Sequence, residues 1–215
     1  YDAERDLLPV ASVSSIILAA SISPSLPVTT LAEMVELIRT QPGRVNAAAA
    51  NGNSDFLLFG FLKGAGLSVA KIPYRDILQA PNDLAEGRIQ LLMASLATVQ
   101  PHMQAGKVKV LAVTSRARAP SAPLVPTVAE AGFPALELES PVGLFGPRGM
   151  AAPLRERIAD DLRAVLAANP VIATRIEASG QIMGVRGPTE LAADIADLRS
   201  KLSATARILG LKTAQ

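Results

Sequence analysis

The sequence predicts an α/β fold with a largely parallel sheet, on three observations. Helical and strand-like stretches alternate four times within about a hundred residues, a rhythm that builds parallel strands covered by helices. Inside that span, residues 45–75 read as strand, Gly-containing turn, helix and strand, which is one βαβ unit. Residues 107–115, KVKVLAVTS, are β-rich, alternating at first and then wholly apolar, as a buried strand requires.

The elements follow in order. Residues 7–23, LLPVASVSSIILAASIS, form one or two buried strands with a polar kink at Pro9 and residues 12–15. After a Pro-containing turn, Thr29 or Thr30 caps a helix whose Leu31, Met34, Val35 and Ile38 make an inward stripe. In the βαβ unit, the strand meets a polar break at Asn51, Gly52, Asn53 and Ser54, and the helix beyond it stops at Gly64 and Gly66. Ser54 or Asn53 can cap that helix by accepting a bond from an orphan N–H. The remaining N–H groups and the positive end of the helix dipole make the turn an anion site, unless it merely starts a helix.

A short helix opens at Asp76, a strand covers residues 89–93, and a brief helix covers 99–105. Residues 116–126, with Pro120, Pro123 and Pro126, read as an ordered link between lobes, and residues 136–139 alternate as a strand. The last third is helical. Pro153 opens one helix with Leu154, Ile158, Leu162, Val165 and Leu166 on one face, and Pro188 opens another. Only residues 181–185 supply a strand beside these helices, which is little sheet for them to cover.

Composition narrows the function. Hydrophobic residues make up 49% and aromatics 3%, so the core is Ala, Leu, Val and Ile in tight helix-on-sheet packing. The 21 basic and 19 acidic residues are interspersed and few aromatics accompany them, which argues against nucleic-acid binding. Without Cys there are no disulfides and no thiolate chemistry. No apolar run reaches the roughly 18–20 residues that span a bilayer. The charged start, with Tyr1 in place of Met, lacks the regions of a signal peptide, so the chain reads as processed or incomplete.

Catalytic motifs are missing. His102 is the only histidine and follows Pro101 at a helix start, where capping or packing explains it better than catalysis or a metal. There is no G-x-S-x-G elbow, no G-x-G-x-x-G and no Walker sequence, so neither an enzyme nor a cofactor is indicated. Five polar breaks remain, at residues 12–15, 51–54, 74–76, 94–98 and 139–140. In parallel sheets ligands bind beyond the carboxyl ends of the strands. The five breaks are either one donor-rich cleft or five ordinary turns.

The segments NGNS, IPYR, PHMQAGKVKVLAVTS, PLVPTVAEAG and GLFGPRG together resemble the Bug receptors, the extracytoplasmic solute receptors of tripartite tricarboxylate transporters. The resemblance spans essentially the whole chain. It implies a two-lobed, type II periplasmic binding-protein fold, with residues 1–15 and 116–215 in an incomplete first lobe and 16–115 in the second. It implies capture of a small organic carboxylate, or an amino acid, for delivery to the membrane components of a transporter. Localisation would be periplasmic, with no nucleic acid, no membrane insertion and no metal.

By the same resemblance, ligand contacts fall on Asn51, Gly52, Asn53, Ser54 and Asp55, on Tyr74 and Arg75, on Ser95, and on Ser14, Ser15 and Ser140 of the crossing strands. Departures from the pattern are Asp55 and Phe56 at the helix start, where His is frequent, and Asp76 with Ile77 for a small pair. Ala94 stands for a frequent Asp and Pro141 for an aromatic residue. An acid at Asp55 or Asp76 would repel a bound carboxylate, favouring a less negative ligand, one with an amino group, or another pose. Relatives carry roughly eighty further residues in front, half of the first lobe. The alternatives are therefore a fragment or a truncated paralogue that self-associates, and, from another class, the effector domain of a LysR-type regulator.

Overall fold

The computed structural model describes residues 2–211; Tyr1 and residues 212–215, which the sequence assigns to the first lobe, lie outside the described residues. The spine is β1 (Leu7–Ile22), one strand of 16 residues behind the short helix α1 (Ala3–Asp6). Pro9 and the serines do not divide it. Register shifts between Pro9 and Ala11 and between Ser12 and Ser14 absorb them as bulges.

The elements after β1 are α2 (Leu31–Thr40), β2 (Asn46–Ala49), α3 (Asn53–Gly64) and β3 (Ala70–Lys71). A 3₁₀ turn (Ile77–Gln79) runs into α4 (Ala80–Ala85), followed by β4 (Leu91–Ser95), α5 (Leu96–Gln104) and β5 (Lys109–Val113). A second 3₁₀ turn (Pro134–Leu136) precedes β6 (Glu139–Pro147), and α6 (Ala152–Ala168), α7 (Pro170–Ala178), β7 (Gln181–Arg186) and α8 (Pro188–Leu209) complete the chain.

The strand order is β3-β2-β4-β1-β5. β3, β2 and β4 are parallel, and the C-terminal part of β1 is inserted antiparallel between β4 and β5. Four strands thus point one way, and β1 runs against them because it enters from the other half of the molecule. There its N-terminal part pairs antiparallel with β6 on one side and β7 on the other. Alternation along β1 feeds two cores: Ala20 and Ile22 pack with α2 and α3 residues such as Met34, Ile38 and Leu58, while Ile17 and Ala19 pack with Leu84, Leu92 and Val99. Ala119, Ala122, Val128, Leu136 and Leu138 belong to these same two cores.

Local differences from the sequence reading have physical causes. Thr30, not Thr29, is the α2 cap, because Glu33 reaches back to complete a capping box. The helix expected at 99–105 starts at Leu96 with Pro101 inside it, which puts His102 in its last turn. The strand expected at 136–139 begins only at Glu139, as the start of β6: Leu136 and Leu138 are buried against the cores, and Leu138 exchanges backbone and side-chain bonds with Thr114 instead of a ladder. On α6 only Ala159 and Leu166 are buried; Leu154 and Val165 stand about half exposed, as do Leu144 and Phe145 of β6. No helix among the described residues is long and apolar enough to cross a membrane.

Candidate functional site

The site is built from the turn between β2 and α3. Gly52 is the α3 N-cap with φ 83° and ψ −130°, a backbone conformation that a Cβ disfavours. No side chain caps the helix, so neither Ser54 nor Asn53 does what the sequence proposed. The N–H groups of Asp55 and Phe56 reach the carbonyls of Ala50 and Gly52, whereas those of Asn53 and Ser54 donate to no group among the described residues. Two donors without a partner among the described residues, at the positive end of a 12-residue helix, have the chemistry that suits an anion. Ser54 itself is buried at 4% exposure.

Asn53 turns outward to the crossing strand. Its Nδ2 donates to Ser140 Oγ at 2.9 Å. Ser140 is the second residue of β6 and sits opposite Ile16 of β1, so the bond joins the helix start to the strands linking the two halves. Asp55 does not face an approaching anion uncompensated: Lys71 Nζ lies 2.5 Å from its carboxylate and 4.5 Å from the centroid of the Phe59 ring. This pair removes the repulsion expected from Asp55.

The other expected residues divide. Ser95 caps α5, accepting from the Thr98 N–H and sharing a bond with Thr98 Oγ1 at 2.8 Å, so its hydroxyl is engaged. The Tyr74 hydroxyl donates to Asp83 Oδ2 at 2.6 Å, turned toward α4 rather than offered to a ligand. Burial and then the Asp83 bond raise its pKa above the ordinary phenol range. Arg75 is exposed, and its side chain makes no ion pair or hydrogen bond among the described residues. Asp76 caps the 3₁₀ turn through the Leu78 N–H.

Ser14 and Ser15 fall on opposite faces of β1, as neighbours in a strand must. Ser14 is 3% exposed and donates to Gln181 Oε1 at 2.7 Å. Ser15 lines a small pocket with Pro141, Arg116, Glu137, Asp197 and Lys201. Glu139 and Asp194 also line it, so carboxylates outnumber cations there, and an anion is better served at α3.

Sequence reasoning missed three residues at the junction of α5 with the α7–β7 turn. Gln181 binds Ser14, and Gln100 Nε2 donates to Ala178 O at 3.2 Å. Gly180 has φ 76°, and a Cβ there would lie 2.7 Å from Ala97 N. Of these only Gly180 carries a local signal, since a glycine with φ 76° just past the end of α7 stops a helix. Its second role, admitting α5 to close contact, is invisible without the partner.

A family model described as tripartite tricarboxylate transporter family receptor (TctC) matches residues 1–186. A UPF0065 protein from the tcbD-tcbE intergenic region of Pseudomonas sp. strain P51 is 31% identical over 178 residues, 80% of this chain and 52% of the relative. The chain spans about half the length of the curated relatives it matches first. Among solved structures, Rpa4515 of R. palustris with adipate superposes with TM-score 0.80 at 25% identity, over 98% of this chain and 71% of that one. The periplasmic binding protein BugD superposes with TM-score 0.75 at 23% identity, over 96% and 71%, a likeness of fold.

Proposed function

We propose a function from the premise that the chain belongs to the tripartite tricarboxylate transporter receptor family: it binds a small aliphatic dicarboxylate between two lobes, at the start of α3. One observation carries the reading. The N–H groups of Asn53 and Ser54, which donate to no group among the described residues, lie in the same turn as the Asn53 side chain that reaches Ser140 of the crossing strand. A carboxylate would accept from these two N–H groups and from Asn53 Nδ2 or the Ser140 hydroxyl. Arg75, which the family resemblance assigns to the ligand, is exposed and makes no ion pair among the described residues. The adipate in Rpa4515 supports a dicarboxylate, and the Lys71 partner of Asp55 removes the reason to look for an amine or a less charged ligand.

In this reading β1 and β6 are the hinge and ligand binding shifts an open–closed equilibrium. In the same reading the second lobe would run past the expected residue-115 boundary to about residue 138, which the packing of Val128, Leu136 and Leu138 in its core supports. Delivery to transporter membrane components and a periplasmic location rest on the family alone. The test is a thermal-shift series with succinate, glutarate and adipate. A rise in Tm that saturates with one of them supports the reading; no rise with any contradicts it.

A second reading, self-association, is favoured by the half-exposed Leu144 and Phe145 on β6 and Leu154 on α6. Sedimentation equilibrium decides it: a monomer at micromolar concentration ends this reading.

A further inference from the structure

We propose that α8 is a strap that limits how far the two lobes separate, fixed at its far end by the contact of Thr205 with Gly60. This rests on the two-lobed reading above. The helix has 22 residues, roughly 33 Å at 1.5 Å per residue. Its first turns are seated on β1 and β6. Leu191 is fully buried, and a Cβ on Gly143 would lie 2.9 Å from both Leu191 Cδ2 and Ala11 O. Its middle passes the crossing strands, where Asp197 lies 3.5 Å from Arg116 and Lys201 lies 3.8 Å from Glu137. Its last turns lie on α3: Lys63 Nζ donates to Leu209 O at 3.0 Å, and Ile208 packs beside Gly64. One stiff element therefore touches both halves and the hinge between them.

The fixing point is tight. A Cβ built on Gly60 would sit 2.1 Å from Thr205 Cγ2. Gly60 has no positive φ, so backbone conformation does not call for glycine in the middle of this helix, where it costs about 1 kcal/mol relative to Ala. Close approach of α8 does. Because α3 carries the Asn53–Ser54 cradle at its other end, the seating of α8 on α3 fixes the cradle relative to Ser140. Opening about β1 must slide or lift α8 from α3, and a side chain at position 60 would hold it lifted. A ligand that needs the closed form then binds more weakly in proportion to the closed fraction lost.

The chain has no Cys, so Leu78→Cys with Val171→Cys gives a clean spin-label pair, on exposed positions of the 3₁₀ turn and α7. Pulsed dipolar spectroscopy without ligand is expected to show longer distances for Gly60→Val than for the parent, with adipate Kd raised about tenfold if nine-tenths of the molecules open. Gly60→Ala should open partly, and Gly60→Ala/Thr205→Ala should return to parental distances, since Thr205 Cβ lies 3.4 Å from the added methyl. Parental distances in Gly60→Val, or a double variant as open as Gly60→Ala, overturn the strap. If Gly60→Val does not fold, the alanine pair decides. Lengthened distances without adipate binding in any variant keep the strap and remove the dicarboxylate; adipate binding without lengthening does the reverse.

Discussion

Asn53 and Ser140, 87 positions apart in sequence, meet through a 2.9 Å hydrogen bond that closes the start of α3 onto the start of β6. The same two groups proposed to hold a ligand carboxylate thus also bond to each other. Ser140→Ala removes one of them and leaves Asn53 half-buried rather than stranded. A neutral hydrogen bond contributes about 0.5–1.5 kcal/mol net, so adipate Kd should rise roughly two- to tenfold while Tm falls by no more than about 6 °C. Calorimetric titration beside a melting curve checks both. Unchanged affinity would take Ser140 out of the site.

Gly52 makes the cradle possible. Gly52→Ala meets no steric neighbour, since nothing lies within 4 Å of the added Cβ. The penalty is conformational, from φ 83° with ψ −130°, and should be about 1–3 kcal/mol. For a chain of this length that lowers Tm by roughly 2–12 °C. Relaxation of the turn should also weaken adipate. A variant as stable as the parent would show that the turn adopts a different conformation.

Lys71 and Asp55 form a half-exposed pair, whose measured worth is seldom above about 1 kcal/mol for stability. Its effect on an anion should be asymmetric. Lys71→Met leaves Asp55 unbalanced at the cradle, and adipate Kd should rise by about two- to fivefold at low salt and less at high salt. Asp55→Asn should change it by less than about twofold. The opposite order would place Asp55, not Lys71, in contact with the ligand.

Asp83 gives a pH dependence. The Tyr74 hydroxyl, and then Arg88, hold its carboxyl below the usual carboxylate range. A folded pKa below the unfolded one means stabilisation that is fully present above about pH 4 and is lost as pH falls through the folded value. Tyr74→Phe removes the larger cause. Its Tm should be lower than the parent's at pH 7, by roughly 2–6 °C for a bond worth about 1–1.5 kcal/mol, and the gap should narrow below pH 4. A gap that widens on acidification would reverse the sign and reject this pairing.

Much of the fold is legible in the sequence because periodicity and turn residues are local. The α2 stripe, the βαβ unit, the KVKVLAVTS strand and the Pro-started helices are each encoded within a dozen or so residues. The antiparallel insertion of β1 is not, since the strands that flank it, β4 and β5, lie far along the chain, as in the pairs Ile22–Leu91 and Ala19–Val113. The site divides the same way. That the 51–54 turn starts a helix is local and legible, whereas Ser95, expected at the ligand, instead caps a helix that starts three residues earlier than expected. The claim of Asp83 on Tyr74, of Lys71 on Asp55 and of Gln181 on Ser14 arises from the tertiary fold, and each changes what a named side chain can offer a ligand. Gly60 shows the limit most clearly: it lies inside α3 without a positive φ, and only the neighbouring α8 explains it, whereas Gly180 ends α7 as a local signal and only its closeness to Ala97 is tertiary.

The most direct test is titration calorimetry of adipate into the 215-residue protein at neutral pH, with Gly52→Ala as the comparison. Saturable one-to-one heat in the parent, weakened in Gly52→Ala, is the predicted result. No saturable heat from adipate, succinate or glutarate in a protein that circular dichroism shows to be folded would contradict a dicarboxylate site at the start of α3.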